Sequence, residues 1–138
     1  MSTQKAEILV KDVMLSNEEF PIVYQHNLIK EAIDKMNFYR IGIACIVKQE
    51  NMLLQGVFCD GDIRRTIINN QQSLSAFFVD DVLDHAIKNY KFVDENSTLL
   101  KAVKLMTIFK IWDLPVITPD LELKGLLHLH PAILRLLS

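Results

Sequence analysis

The residues with the most chemical potential lie in one run, Gly56-Val57-Phe58-Cys59-Asp60-Gly61-Asp62-Ile63-Arg64-Arg65. Two carboxylates one residue apart raise general acid–base work, and the two arginines raise anion binding. No nucleophile and no oxyanion-hole motif accompanies Asp60 and Asp62, so catalysis by this chain is not expected. Asp60-Gly61 reads as turn chemistry, and Asp62 as an N-cap or as an acceptor for a ligand. A second set is His128-Leu129-His130, whose histidines share a face if the segment is a strand. Cys59 and His128 hold equivalent places in the two halves of the chain, yet no fourth ligand and no structural-zinc spacing completes a metal site. Lys91 alone reads as an exposed lysine, Trp112 as core or subunit interface, and Cys45 as a small buried hydrophobe.

The elements that position these residues occur twice. Val10-Lys11-Asp12-Val13-Met14 returns as Val79-Asp80-Asp81-Val82-Leu83, and the runs 41–47 and 111–117 correspond. Gly56-Val57-Phe58 returns as Gly125-Leu126-Leu127. A repeat of this length is one supersecondary unit that buries its apolar face against its twin. In each half, the apolar spacing predicts a strand, a helix, two strands and a second helix. Residues 21–23 form a short extended segment. Asn27 is then the expected N-cap of a helix whose apolar face is Leu28, Ile29, Ala32, Ile33 and Met36. The branched run from Ile41 to Val47 is a buried strand, residues 53–58 its return partner, and Asp60 opens a short helix with Ile63 and Ile67 on one face. In the second half Ser97 is the expected N-cap, residues 114–117 and 123–127 the strands, and Pro131 the first residue of the last helix. Residues 69–73 read as a linker.

Composition limits the function classes. The chain has 138 residues, half of them hydrophobic, and a net charge of −2. That length suits one domain or two intimate half-domains. The charge gives no basic field for nucleic acid, and no apolar run is long enough to span a bilayer. No signal pattern opens the sequence, so a cytoplasmic protein is expected. Two cysteines make no disulfide framework, and the high apolar content points to surface covered by self-association.

The tandem βαββα pattern, with Gly-h-h-x-x-x-Asp before a short helix, resembles the CBS domain, and two such units resemble a Bateman module. The run from Gly56 to Arg65 is similar to the Gly-Ile-Phe-Thr-Asp-Gly-Asp-Leu-Arg-Arg stretch in the C-terminal CBS pair of arabinose 5-phosphate isomerases. Gly125-Leu126-Leu127-His128-Leu129-His130 is similar to the second-half signature of that group. The resemblance implies an α+β fold of two pseudo-symmetric units, residues 8–70 and 78–138. It implies a nucleotide, such as AMP, ADP, ATP or a nucleotide-sugar, in the cleft between the units, as a regulatory ligand and not a cofactor.

In the family, a Thr or Ser three residues before an Asp helps hold phosphate, and the Asp accepts both ribose hydroxyls. Asp62 stands at the ribose position, but Cys59 replaces the hydroxyl residue. In the second unit His128 and Pro131 hold these two places, so that site is expected to be lost. By family geometry the remaining walls would be Ile41, Ile43, Tyr90, Lys91, Ile111 and Trp112, with Lys91 meeting a phosphate and Trp112 covering a base.

Two functions follow from the resemblance. One is a regulatory module that senses a nucleotide and signals to a sugar-phosphate isomerase domain or another partner. The other is an interaction module with a degenerate cleft, assembled as a homodimer or larger oligomer through the apolar helices at 63–68 and 132–137.

Overall fold

The computed structural model describes residues 7–69 and 72–138. The chain divides into two units, and the division does not follow the repeat. One unit runs from Glu19 to Tyr90; the other joins residues 7–18 to residues 91–138.

In the unit from Glu19 to Tyr90, β1 (Ile22–Tyr24) leads into α1 (Ile29–Tyr39), followed by β2 (Ile43–Val47), β3 (Leu54–Cys59), α2 (Asp60–Asn69) and α3 (Leu74–Phe78). The sheet order is β1-β2-β3. β1 lies parallel to β2 with Val23 opposite Ile46, and β2 antiparallel to β3 with Ala44 opposite Phe58. Every residue of β2 is buried, as an unbroken branched run requires when both faces of a strand are covered. Ile29, Ala32 and Met36 of α1 pack with Val23, Ala44, Ile46 and Phe58 into the core of this unit.

The other unit carries α4 (Leu99–Phe109), β4 (Asp113–Ile117), β5 (Leu123–His128) and α5 (Leu129–Leu137). β4 and β5 pair antiparallel with Leu114 opposite Leu127. The counterpart of β1 shrinks to a single parallel bridge between Val93 and Val116. Leu99, Ala102, Met106, Leu114, Leu127 and Ala132 form the core with Val10.

Several sequence expectations shift by a residue for identifiable reasons. Asn27 does not cap α1: its Oδ1 accepts from the Tyr24 amide at 2.6 Å, closing the turn after β1. The Glu31 carboxylate accepts from the Leu28 amide at 2.8 Å instead, one half of a capping box. Thr98 and not Ser97 caps α4, accepting from the Lys101 amide at 3.3 Å. Pro131 is the third residue of α5, still inside the first turn, where a missing N–H costs no helical bond. Asp60-Gly61 is helical and not a turn. Of the expected linker, Asn70 and Gln71 lie outside the described residues, and Ser73 caps α3 by accepting from the Ala76 amide.

The two units are each completed by a strap from the neighbouring repeat, which is why the boundaries 8–70 and 78–138 do not coincide with them. Val10 and Lys11 donate to the carbonyls of Ser97 and Glu95, and Leu15 exchanges two backbone bonds with Leu126, at 2.8 and 3.1 Å. In the other unit, Ile87 exchanges bonds with Val57 at 2.8 and 3.0 Å, and Val82 donates to Asn27. A hydrogen-bonded contact between Asp80 and His85, with a second from Gln72, holds the Asp80 carboxyl below the usual aspartate range.

The straps need a bare backbone beneath them. A Cβ on Gly125 would fall 2.6 Å from the Leu15 carbonyl oxygen and 2.8 Å from the Met14 sulfur. Gly125→Ala is therefore expected to lower stability by about 1–3 kcal/mol through overpacking, read as an earlier urea midpoint. A midpoint equal to that of the parent would show that the strap yields without cost.

Candidate functional site

β3 runs into α2 with no intervening loop, so the last strand residue, Cys59, is also the residue before the helix. Cys59 faces Ile43 across the ladder, and the Asp60 amide extends that pairing by donating to the Gly42 carbonyl at 3.1 Å. This geometry places Asp62 at the third helical position, from which its side chain turns back over the helix start. Oδ2 accepts from the Cys59 amide at 2.8 Å, and Oδ1 from Arg65 Nη2 at 2.8 Å. Asp62 is the one buried charged residue among those described, at 7% exposure. A carboxylate is tolerated there because it meets a backbone donor, a guanidinium and the positive end of the helix. An ionised carboxylate offers about four acceptor positions, so roughly two remain for other donors.

The other sequence candidates divide between the units. Ile43 is buried beside Cys59; Ile41, expected to begin the same strand, is half-buried two residues before it, its amide donating to the Met36 carbonyl that closes α1. Tyr90 belongs to this unit too, but its hydroxyl donates to the Leu54 carbonyl at 3.1 Å. Leu54 begins β3 and Cys59 ends it, about 17 Å apart along an extended strand, so the Tyr90 hydroxyl is not brought to Asp62. Burial, and after it the neighbouring Cys45, push the Tyr90 phenol above its ordinary value and keep it a neutral donor. Cys45 itself is fully buried within β2.

Lys91, Ile111 and Trp112 lie in the other unit. Lys91 places its ammonium 4.3 Å from the centre of the Phe109 ring, a cation–π contact. Ile111 is half-buried. Trp112 is 70% exposed, which removes the core reading for its side chain; its carbonyl accepts from the Leu129 amide at 2.9 Å.

The equivalent helix start in this unit is built differently. Asp113 and His128 replace Ile43 and Cys59 as the facing pair, and Asp113 Oδ1 lies 2.6 Å from His128 Nδ1. Pro131 stands where Asp62 does in the first repeat, so no third-residue carboxylate reaches back to the preceding amide. Asp113 carries little signal in the sequence because it sits in an apolar run. Aligning the repeats shows a carboxylate facing a histidine where the first half has an isoleucine facing a thiol. Among the described residues, no three His, Cys, Asp or Glu side chains are grouped as a metal site. Nor is any helix among them long and apolar enough to cross a membrane.

What the geometry defines is a duplicated α+β module with one buried, partly committed carboxylate at a strand-to-helix junction. Residues 10–69 match the family model of the CBS domain. The structure matches that of CBSX2 in complex with AMP with a TM-score of 0.81, at 21% identity, over 94% of this chain and 96% of that one. In sequence, the chain is 29% identical over 124 residues to protein RP505 of Rickettsia prowazekii, covering 90% of this chain and 36% of that protein. It is 26% identical over 134 residues to arabinose 5-phosphate isomerase KdsD of Francisella tularensis, covering 94% and 38%. The chain as a whole has the fold of a CBS pair. It spans little more than a third of the length of these curated relatives.

Asp62 holds the start of α2 together as well as offering acceptors. Asp62→Ala leaves the Cys59 amide without its side-chain partner and Arg65 without its counter-ion. The expected loss is about 1–2 kcal/mol in urea unfolding. An unchanged midpoint would mean that the buried carboxylate contributes nothing to the helix start.

Proposed function

We propose that this chain is a regulatory module that binds a nucleotide of the AMP type, with Asp62 accepting the ribose hydroxyls. The observation that carries the reading is the buried Asp62 carboxylate, which keeps acceptor capacity after serving Cys59 and Arg65. A cis-diol supplies two donors and an ionised carboxylate can take both. The likeness to CBSX2, whose structure holds AMP, supports the ligand class. Cys59 contributes backbone and shape, since a thiol is a weak donor where a hydroxyl would help with phosphate. Ile41 and Ile43 supply apolar wall. The likeness to KdsD supports a sugar-phosphate isomerase as the regulated partner.

A second reading, an interaction module that assembles as a dimer and takes no nucleotide, has an observation of its own. Ile67 and Ile68 of α2 and Leu134 and Leu137 of α5 are all more than half exposed, at 54, 70, 57 and 79%. Apolar side chains left in water in this way suit a surface covered by another chain.

Thermal unfolding with AMP, ADP, ATP, CMP and sugar nucleotides at millimolar concentration separates the readings. Ligand at about 100 times its dissociation constant stabilises by roughly 2.7 kcal/mol, a shift that is easily seen. At least one nucleotide is expected to raise the transition of the parent, and Asp62→Ala is expected to abolish that increment whatever its own baseline. If no nucleotide moves the parent, the interaction module stands in its place.

A further inference from the structure

We infer that Arg65 is an anion-operated latch on Asp62, so that the site selects ligands carrying both a cis-diol and a phosphate. The inference rests on Asp62 being the ribose acceptor proposed above. The two bonds that Asp62 makes are of different kinds. Its bond to the Cys59 amide is fixed, because that donor is backbone at a strand-to-helix junction. Its bond to Arg65 is held by a long side chain that is 54% exposed, while the Asp62 side chain is only 8% exposed. One oxygen is therefore tethered to the fold, and the other shares its acceptor positions with a group that can leave.

The local backbone is shaped for the closed position. A Cβ on Gly61 would lie 3.1 and 3.2 Å from the two terminal nitrogens of Arg65, so the guanidinium rests against the bare Gly61 backbone as it reaches Asp62. A half-exposed ion pair of this kind shifts an equilibrium by at most about fivefold. A phosphate offers the planar guanidinium a bidentate, doubly charged partner, which is the stronger match. Arg65 can thus exchange Asp62 Oδ1 for a phosphate close to the α2 start, and the oxygen it leaves is open to a ribose hydroxyl. A nucleoside without phosphate has nothing to draw Arg65 away and must compete with it for Asp62.

Calorimetric titration of AMP and adenosine into the parent, Arg65→Ala and Arg65→Gln tests this. Arg65 is half exposed, so both variants are expected to fold, and unfolding curves without ligand check it. The parent is expected to bind AMP at least about tenfold more tightly than adenosine, the worth of one charge-assisted contact. In both variants AMP should weaken and adenosine should gain by up to about fivefold, bringing the ratio close to one. Adenosine that keeps its parent affinity in both variants would make Arg65 a phosphate contact only and overturn the latch. A ratio that stays at the parent value in the variants overturns the latch and leaves Asp62 as ribose acceptor intact. If the parent binds neither compound, the ribose reading itself falls, and the latch with it.

Discussion

Backbone pairing of Leu15 with Leu126, and of Ile87 with Val57, is the constraint on which the rest of the molecule depends. A sheet edge left open in a small α+β unit presents unpaired amides and carbonyls, and these need partners. Neither repeat supplies them from its own strands. Residues 7–18 finish the sheet of β4 and β5, and residues preceding Tyr90 finish the sheet of β1, β2 and β3. Gly56 and Gly125 follow from the same demand, since each lies directly under a strap. The duplication in the sequence and the division of the structure are therefore offset by one strap length.

The site depends on the same economy of backbone. Because β3 passes into α2 without a loop, the Cys59 amide at the junction has no loop residue to take it, and Asp62 turns back to do so. This makes the carboxylate structural before it is functional. A residue that must stay buried to hold a helix start is also held at fixed position for a ligand. The second helix start shows the alternative solution. There a proline removes the carboxylate, and an Asp113–His128 pair supplies polar contact across the strand ends.

Much of the fold was legible because it is written twice. The correspondence of 41–47 with 111–117, and of Gly56 with Gly125, sets the strands, and apolar spacing sets α1 and α4. The straps were not legible, because a repeat period says which residues are alike and nothing about which copy they pack with. Helix starts moved by one residue where a short side chain had a nearer donor, as Asn27 does in Tyr24. α3 was hidden by its length of five residues, directly after the expected linker. At the site, the identity of Asp62 was readable from type and spacing. Its burial, its bond to Cys59 and its pairing with Arg65 belong to the three-dimensional turn. Asp113 was visible only as an interruption in an apolar strand.

The central claim is that a nucleotide seats at the start of α2. An NMR titration of isotopically labelled protein with AMP tests it most directly, through the Cys59 and Asp62 backbone amides and the Arg65 side-chain Nε–H. Saturable movement of all three signals along one binding curve is the predicted result. AMP binding that saturates while these three signals stay fixed would contradict the account.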